Sequence, residues 1–573
     1  MIIFRNEHVD QISSKKLIDS ICQDVLKNDI LLVGIMLDRS PILLYLLKQM
    51  FDQQIAFIII DPLLPKERIQ FIVNDSKIRK IITQVKYYTY FSDIERIYID
   101  DYKVIETVSR FKDCIRKENE IAYILYTSGT SGVPKGVIIS REAFLNFIAG
   151  ISEVIDYSSR RRILCLTTVS FDIFLLESLM ALIKGLTIVL ADDEDQQNPK
   201  RILSLIKDNS IDIIQLTPSR MQQLLNYDKN LLSLKNVKEI LIGGEVFPYN
   251  LLQALQEKTT ARLYNMYGPT ESTIWSTLSD LTNKEEVDIG YPIKNTEVYI
   301  IDDRLNLVPD GQSGEIFIVG KGIALGYVGR DELTKEKFVH LSHRLDARGY
   351  RTGDFGGFNE DGHLQYLGRI DNQVKINGFR IELEEIEFHI HQFKGINQSI
   401  VLDIKLDDNS TMLRAFYTSE TSIKTADIVE YLSTKVPSYM IPAIFNRIED
   451  FPLTPNGKID RKKMLESIQI NRAKTKSQIS DSFEENNNFK QKILNIILRN
   501  SKELGSVEAP LDLKLSTVGL DSISFIKVIA ALEEEFDFDF DDEMLLMTNF
   551  LTIGAILNYV SAKIGKDENK LSK

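Results

Sequence analysis

Short apolar runs alternate with helix-like segments from about residue 30 to residue 330. Several runs are almost continuous valine, isoleucine and leucine, which is typical of strands buried on both faces of a sheet. The runs lie at 30–37, 56–60, 80–83, 122–126, 187–191, 211–216 and 239–243. This pattern predicts a layered α/β architecture with partly parallel sheets.

The pattern changes in the second half of the chain. A glycine-rich, β-like stretch covers 286–368, and a charged junction follows it. A small α+β unit comes next, and then a polar segment without an apolar stripe, which is typical of a linker. We therefore predict a multidomain protein with four parts, at 1–370, 371–467, 468–483 (the linker) and 484–568, the last of them helical.

Length and composition narrow the class of protein. A chain of 573 residues is too long for a single core. Its net charge of −13 argues against a nucleic-acid partner. It has no apolar run of the roughly 18–20 residues that span a membrane and no apolar signal segment at its start. We therefore expect no membrane partner. The three widely spaced cysteines indicate reduced thiols, which is typical of a cytoplasmic protein.

A loop rich in glycine and hydroxyl groups follows the apolar run at 121–126. Its residues are Thr127, Ser128, Gly129, Thr130, Ser131 and Gly132. Backbone N–H groups and hydroxyls in such a loop form a donor surface for phosphate oxygens, and Lys135 adds a point charge. The loop lacks the Walker A pattern. A flexible surface loop is the alternative, but Pro-Lys-Gly at 134–136 favours triphosphate binding.

Five motifs resemble those of the adenylate-forming superfamily, which includes nonribosomal peptide synthetase adenylation domains, acyl-CoA synthetases and firefly luciferases. The first is the loop just described. The others follow in the family's order: NMYGPTE at 265–271, YRTGD at 350–354, GRIDNQVK at 368–375 and NGKIDR at 456–461. The resemblance implies a large α/β adenylation core at 1–370 and a small, mobile α+β C-terminal subdomain at 371–467.

The resemblance implies that ATP binds to the loop, to Lys135 and to a second set of residues. That set is Asn265, Tyr267, Gly268, Asp354 and Arg369. The implied catalytic residues are Thr270, Glu271 and Lys458, and Glu271 is also the implied Mg²⁺ ligand. The implied reaction is attack of a carboxylate on the α-phosphorus of ATP, which needs positioning and charge stabilisation rather than a protein nucleophile.

The junction after residue 368 has an implied conformational role. Asp371 occupies the position of the family's hinge. Rotation about it is expected to remove Lys458 after adenylation and to bring Gly378 and Arg380 to a thiol tunnel. An ordinary loop acid is the alternative interpretation of Asp371.

The resemblance also indicates to which branch of the superfamily this chain belongs, since the branches differ in the kind of acid that they activate. Asp172, in SFDIF at 170–174, lies where members that activate amino acids keep an aspartate for the α-ammonium group. Members that activate other acids have no cation to pair there, and a buried unpaired carboxylate is costly. The implied pocket is apolar and closed by the single tryptophan, and resembles the family's glycine-selecting set. Its residues are Asp172, Ile173, Leu176, Gln215, Leu241, Gly243, Met266, Ile274, Trp275 and Lys458.

The C-terminal segment resembles an acyl or peptidyl carrier domain, which implies an all-α four-helix fold. In GLDS at 519–522, Ser522 precedes a helix with apolar positions at Ile523, Ile526 and Ile529, widened by Phe525, Val528 and Leu532. The resemblance implies that Ser522 carries 4′-phosphopantetheine; a plain helix N-cap is the alternative. The acidic run at 533–543 is a solvated face or a docking surface for partners.

These features favour an enzyme that activates an amino acid, with glycine first and alanine as its nearest competitor, and loads it onto its own carrier. The implied partners are a phosphopantetheinyl transferase and a downstream condensation domain or acceptor enzyme. Some relatives also depend on a small MbtH-like helper protein. The alternatives are an acyl- or aryl-acid ligase that passes its product to coenzyme A, which Asp172 opposes, and a non-catalytic scaffold, which the intact motifs oppose.

Overall fold

The computed structural model describes most of the first 465 residues and scattered segments beyond them. Up to 465 it leaves out 6, 10–11, 28–31, 103–119, 130–131, 310, 342–346, 377, 406–410 and 454–458. Beyond 465 it describes 492–494, 496–497, 515, 522–536, 538, 540, 544, 550 and 552–564. The chain divides into two compact units. The first comprises Met1–Gly129 and Val133–Arg380, and the second comprises Thr130–Gly132 and Ile381–Lys573.

A nine-stranded sheet forms one layer of the first unit. Its strands, in spatial order, are Tyr291–Pro292, Thr277–Asp280, Arg262–Tyr267, Glu239–Gly243, Ile213–Leu216, Arg162–Cys165, Thr187–Leu190, Ile2–Phe4 and Glu7–Val9. The six strands from Arg262–Tyr267 to Ile2–Phe4 are parallel, and the outer pairs are antiparallel. The carboxyl ends of the parallel strands therefore meet at one edge, where open α/β sheets bind their ligands.

A seven-stranded sheet forms another layer. Its strands, in spatial order, are Gly326–Tyr327, Lys135–Ser140, Ile121–Thr127, Ala56–Ile59, Leu32–Met36, Lys80–Thr83 and Glu95–Tyr98. The five strands from Ile121–Thr127 onward are parallel. All seven apolar runs of the sequence form strands of these two sheets, so the prediction of partly parallel α/β layers is confirmed.

The predicted β-like stretch forms a five-stranded antiparallel sheet. Its strands are Thr296–Ile301, Gly314–Gly320, Arg348–Phe358, Phe338–His340 and Leu364–Arg369. Two further strands, Gln373–Ile376 and Phe379–Glu382, form a separate ribbon. Tyr350 and Asp354 lie in the long strand Arg348–Phe358, and Arg369 pairs with Asp354 across the ladder.

Helices cover the sheets of the first unit. They are Ile12–Lys27, Pro41–Asp52, Lys66–Ser76, Arg141–Ile151, Ile173–Leu175, Ala181–Lys184, Asp193–Gln197, Pro199–Asp208, Pro218–Tyr227, Tyr249–Lys258 and Asp331–Lys337. Side-chain caps fix the starts of the helices that begin at Arg141, Asp193, Pro199 and Pro218. Thr217 accepts a hydrogen bond from the Arg220 amide, and Pro218 occupies the first turn, where the missing N–H costs nothing. Cys22 and Cys165 are buried free thiols, as predicted, and Cys114 lies outside the described residues.

The second unit begins with helix Leu383–His391, which is followed by a three-stranded sheet and helix Thr425–Lys435. The strands are Ile396–Lys405, Thr411–Ser419 and Ile444–Arg447. Farther on, the structure describes helices Ser522–Phe536 and Ile553–Ile564. None of the helices in the described part of the chain is long and apolar enough to cross a membrane.

Helix Ser522–Phe536 begins at the residue that the sequence predicts. Its buried stripe consists of Phe525, Val528, Ile529 and Leu532. Ile526, expected in the middle of the stripe, is only half-buried. Ile529 is buried as predicted, and the other three members of the stripe are the residues that were expected merely to widen it, because an i, i+3, i+4, i+7 pattern follows the 3.6-residue turn more closely than strict three-residue spacing.

Candidate functional site

The predicted phosphate loop connects two strands of the seven-stranded sheet. Thr127 ends strand Ile121–Thr127, and Lys135 begins the antiparallel strand Lys135–Ser140, directly opposite Thr127. A Cβ atom at Gly129 would lie 2.1 Å from the carbonyl oxygen of Val133, so only glycine fits there. Thr130 and Ser131 lie outside the described residues.

Three side chains converge on the fully buried carboxylate of Glu271. Oε1 lies 3.2 Å from Nζ of Lys135 and accepts a hydrogen bond of 2.8 Å from the hydroxyl of Tyr327. Oε2 accepts a bond of 2.7 Å from the guanidinium of Arg380. Burial alone would raise the pKa of Glu271, but the two cations hold that pKa well below its usual value. Glu271 is therefore an ionised carboxylate in a cationic surrounding.

The chemistry of Glu271 fits Mg²⁺. An ionised carboxylate is a hard oxygen ligand, and Mg²⁺ at phosphate sites commonly uses only one or two carboxylates. The described residues contain no cluster of three or more His, Cys, Asp or Glu that could hold a metal ion. Because both oxygens already have partners, a metal ion would have to share or displace one of them.

A second group of side chains surrounds the carboxylate of Asp354, which is also buried. Oδ2 accepts a bond of 2.6 Å from the hydroxyl of Tyr267, and Oδ1 accepts one of 2.7 Å from Arg369. Arg369 also donates two bonds of 2.6 Å to Asp371. The structure thus links three predicted residues, Tyr267, Asp354 and Arg369, with the predicted hinge residue in one network.

Asn265 and Gly268 are the next predicted ATP-binding residues. Asn265 lies in strand Arg262–Tyr267, and Gly268 directly follows that strand. The side-chain amide of Asn265 donates a bond of 2.8 Å to the carbonyl of Asp288 and so ties two chain segments together. A Cβ atom at Gly268 would lie 2.7 Å from the carbonyl oxygen of Ile274 and from Cα of Trp275. Both residues therefore fix the backbone on which Tyr267 and Trp275 lie.

The predicted amino-acid pocket comes together at the carboxyl ends of neighbouring parallel strands. Gln215 pairs with Leu241, and Gly243 pairs with Met266. The apolar members that belong to one buried cluster are Ile173, Leu176, Leu241, Met266, Ile274 and Trp275. The sheet register therefore assembles residues that lie up to about a hundred positions apart in the sequence.

Trp275 packs directly on Gly243. A Cβ atom at Gly243 would lie 2.8 Å from Cη2 of the indole and 2.6 Å from the carbonyl oxygen of Met266. The two residues before Trp275 have left-handed backbone conformations, with φ of +66° at Thr273 and +67° at Ile274. Such angles are strained for β-branched residues and cluster at functional sites. The strained turn holds the indole, which is 2% exposed, in this position.

Asp172 is a buried carboxylate at the edge of this cluster. Burial raises its pKa to about 6, against hydrogen bonds from the Thr270 side chain and the Ile173 amide. In the described part of the chain, no lysine or arginine lies within 4.0 Å of the Asp172 carboxylate, and Lys375 acts on it only from farther away. The hydroxyl of Tyr123 and Oε1 of Gln215 are also buried without a hydrogen-bond partner among the residues described.

The structure describes no side-chain position for two predicted residues, Lys458 and Ser522. Lys458 lies outside the described residues, so its role stays a prediction. Ser522 is the first residue of helix Ser522–Phe536, and nothing is described of its side chain.

The structure adds Tyr327 and Glu245, which the sequence reasoning missed. Tyr327 reaches Glu271 because strand Gly326–Tyr327 pairs with Lys135–Ser140. Glu245 comes two residues after the end of the buried strand Glu239–Gly243. This position, at the ligand-binding edge of a parallel sheet, is the sequence feature from which Glu245 could have been predicted.

Family models match both halves of the chain. The model of the AMP-binding enzyme family matches residues 22–328. The model described as a phosphopantetheine attachment site matches residues 491–560. The chain therefore belongs to the AMP-binding enzyme family, and it joins that domain to a carrier segment, as in nonribosomal peptide synthetases. The predicted resemblance is confirmed.

Individual relatives agree with this assignment. The chain is 36% identical to zwittermicin A synthase ZmaJ of Bacillus cereus over 450 residues, which is 75% of this chain and 84% of that protein. It is also 36% identical to a dimodular nonribosomal peptide synthase of Bacillus subtilis (strain 168) over 442 residues, 75% of this chain. The chain spans only 18% of that second relative.

Solved structures confirm the fold class. The holo form of PA1221, a nonribosomal peptide synthetase protein with adenylation and PCP domains, aligns with a TM-score of 0.73 at 21% identity, over 99% of this chain and 95% of that one. Holo-AB3403, a four-domain synthetase bound to AMP and glycine, aligns with a TM-score of 0.57 at 29% identity, over 97% of this chain and 40% of that one.

Proposed function

We propose that this protein activates glycine with ATP and loads it as a thioester onto its own carrier domain. The main support for an amino acid as the substrate is the buried carboxylate of Asp172, which has no cation within 4.0 Å in the described part of the chain. A buried carboxylate without a charged partner is costly, and an α-ammonium group would supply that partner. Buried Tyr123 and Gln215 offer further unpaired polar atoms.

The choice of glycine is supported by the packing of Trp275. The indole lies against Gly243 and leaves little space for a substrate side chain. The apolar residues around it offer no charge to a polar side chain. Holo-AB3403, which is similar to this chain, holds AMP and glycine. Excluding extra atoms by contact discriminates more strongly than adding apolar pocket, which gains only about 1–3 kcal/mol per methylene.

In the proposed first half-reaction, an oxygen of the glycine carboxylate attacks the α-phosphorus of ATP. The P–O bond to the β-phosphate breaks, and pyrophosphate leaves while glycyl-AMP remains. Lys458 and Thr270 would stabilise the charge at the α-phosphate, and the loop Thr127–Gly132 with Lys135 would hold the leaving phosphates. Tyr267 and Asp354 would hold the adenosine, with Arg369 orienting Asp354.

The cofactors of the proposed function follow from the same residues. Mg²⁺, held by Glu271, would neutralise charge on the phosphates. Phosphopantetheine on Ser522 would supply the thiol that accepts the glycyl group, with release of AMP. Asp371 would be the hinge between the two half-reactions, and Gly378 and Arg380 would border the thiol tunnel. A phosphopantetheinyl transferase and a downstream condensation domain or acceptor enzyme are the proposed partners, an MbtH-like helper is a further candidate, and the proposed location is the cytoplasm.

ATP–pyrophosphate exchange with a panel of acids tests the proposed function. Glycine should give the highest kcat/KM, followed by alanine. Exchange with only fatty or aryl acids would instead indicate an acyl- or aryl-acid ligase, and exchange with no acid would indicate a scaffold. After incubation with a phosphopantetheinyl transferase, ATP and mixed amino acids, intact mass should show the pantetheine arm plus glycine, and the Ser522→Ala variant should show neither.

The pKa of Asp172 predicts how glycine activation depends on pH. Only the ionised carboxylate pairs with an ammonium group, so kcat/KM for glycine should fall as the pH drops through about 6, up to tenfold per pH unit below it. ATP also titrates in this range, so the control is the Asp172→Asn variant, in which the ATP contribution remains and the additional fall is absent. Equal profiles for the two proteins would contradict the prediction.

A further inference from the structure

The turn that contains Gly378 is held by the side chain of Glu245. Oε1 of Glu245 accepts a hydrogen bond of 2.6 Å from the backbone N–H of Gly378. Oε2 accepts bonds of 3.0 Å from the backbone N–H of Ser219 and 2.6 Å from its hydroxyl. Both oxygens of one carboxylate thus connect the Gly378 turn with the first turn of helix Pro218–Tyr227.

On the helix side, Glu245 binds the first turn of helix Pro218–Tyr227. Ser219 lies at the N-terminus of helix Pro218–Tyr227, where free N–H groups and the helix dipole favour a carboxylate. Thr217, the N-cap of the same helix, is bonded to the Arg220 amide and is fixed in turn. Glu245 therefore binds to a rigid element and presents its other oxygen to Gly378.

Gly378 is the residue type that this contact requires. Its φ is +83°, a left-handed conformation, and a Cβ atom added there would lie 2.5 Å from Cγ2 of Thr217. Glycine thus allows the backbone to approach the helix N-terminus closely enough for the amide to reach Glu245. The close contact therefore depends on the Glu245 carboxylate, on the Gly378 N–H and on the absence of a side chain at Gly378.

Further contacts join the following residues to the adenylation core. Phe379 packs edge-on against Phe171 with 4.7 Å between ring centroids. Arg380 donates to Glu271, and its carbonyl accepts a bond of 2.8 Å from the hydroxyl of Ser128. Glu245 therefore holds one end of a segment whose other end reaches the carboxylate proposed to bind Mg²⁺.

We propose that Glu245 is a positioning residue for thioester formation. It fixes the Gly378 turn against the core in the arrangement used for the second half-reaction, and it takes no part in adenylation. This proposal rests on the proposed function, in which Gly378 and Arg380 border the thiol tunnel only after adenylation. A charge-assisted hydrogen bond to backbone N–H is strong enough to bias such an arrangement.

The test compares the two half-reactions in the full-length holo-protein. In Glu245→Ala, single-turnover transfer of glycine from the adenylate to the carrier should slow by roughly 10- to 100-fold, as expected for loss of a charge-assisted hydrogen bond. Glycine-dependent pyrophosphate exchange should stay within about twofold of the wild type. The matched control is Glu257→Ala, which removes an exposed carboxylate on helix Tyr249–Lys258 and should change neither rate.

A second pair of variants keeps the proposal testable if Glu245→Ala proves unstable. Gly378→Ala should slow transfer because its Cβ meets Thr217, and adding Thr217→Ser should restore part of the rate, since serine keeps the capping hydroxyl and removes the methyl group. Unchanged transfer in Glu245→Ala, or equal losses of exchange and transfer, would overturn the proposal. Absence of exchange in the wild-type protein would instead overturn the proposed function.

Discussion

Replacing Asp172 with asparagine should lower kcat/KM for glycine in pyrophosphate exchange by about 100-fold or more. Truncating one partner of a buried, hydrogen-bonded charge pair costs roughly 2–5 kcal/mol, because the remaining charge is left buried without compensation. Here the remaining charge would be the α-ammonium of glycine. Asparagine has nearly the same shape as aspartate and can keep an acceptor toward Thr270, so the substitution mainly removes the negative charge.

Two measurements separate this loss from general damage. The thermal unfolding midpoint of Asp172→Asn should equal or exceed that of the wild type, because a buried carboxylate that lacks a close cation among the described residues is replaced by a neutral amide. Exchange with acetate, a carboxylate without an ammonium group, should fall much less than exchange with glycine. Equal losses with acetate and glycine would show that Asp172 does not bind the ammonium group.

Replacing Trp275 with alanine should make alanine a much better substrate relative to glycine than it is for the wild type. Removing the indole opens the space next to Gly243, so the ratio of kcat/KM for alanine to that for glycine should rise by about 100-fold, as expected when a contact that excludes one methyl group is removed. Glycine itself should bind more weakly in the enlarged pocket. Pyrophosphate exchange with glycine, alanine, serine and leucine measures the change.

The stability of the variant has to be measured alongside its specificity. Trp275 is one of the largest fully buried side chains, and truncation of such a residue costs about 3–5 kcal/mol. Trp275→Leu leaves a smaller cavity and should give an intermediate shift toward alanine. If folded Trp275→Ala and Trp275→Leu proteins keep the wild-type preference, another residue sets the size limit. Since Trp275 is the only tryptophan, its fluorescence in the wild type should also respond to ATP plus glycine and hardly to ATP plus leucine.

Much of the fold could be predicted from residue pattern alone. The runs at 80–83 and 239–243 match their strands end to end, because short runs rich in Ile and Leu are typical of strands buried on both faces of a sheet. The helix after Gly519-Leu-Asp-Ser522 also begins where expected. Its buried stripe was harder to place, since nearly every position from 523 to 532 is apolar and the pattern alone does not say which side meets a partner.

The candidate site was predicted as a set of residues, but its internal contacts were not. Lys135 was expected to meet phosphates, and in the structure it pairs with Glu271, far away in the sequence. Asp354 was expected to accept ribose hydroxyls, and both its oxygens are engaged by Tyr267 and Arg369. None of these contacts could be predicted from the sequence, because the spacing of motifs gives no distance between side chains on different strands.

The sequence by itself determined the class of this protein and the order of its two matched domains, and it predicted the residue types of the candidate site, because these depend on local pattern and on motifs in a fixed order. Only the tertiary structure decided which charges meet. It placed Arg380 and Lys135 on Glu271, Glu245 on the Gly378 amide and the indole of Trp275 on Gly243. The physical reason is that such pairings depend on strand order, register and burial, which the whole chain sets together.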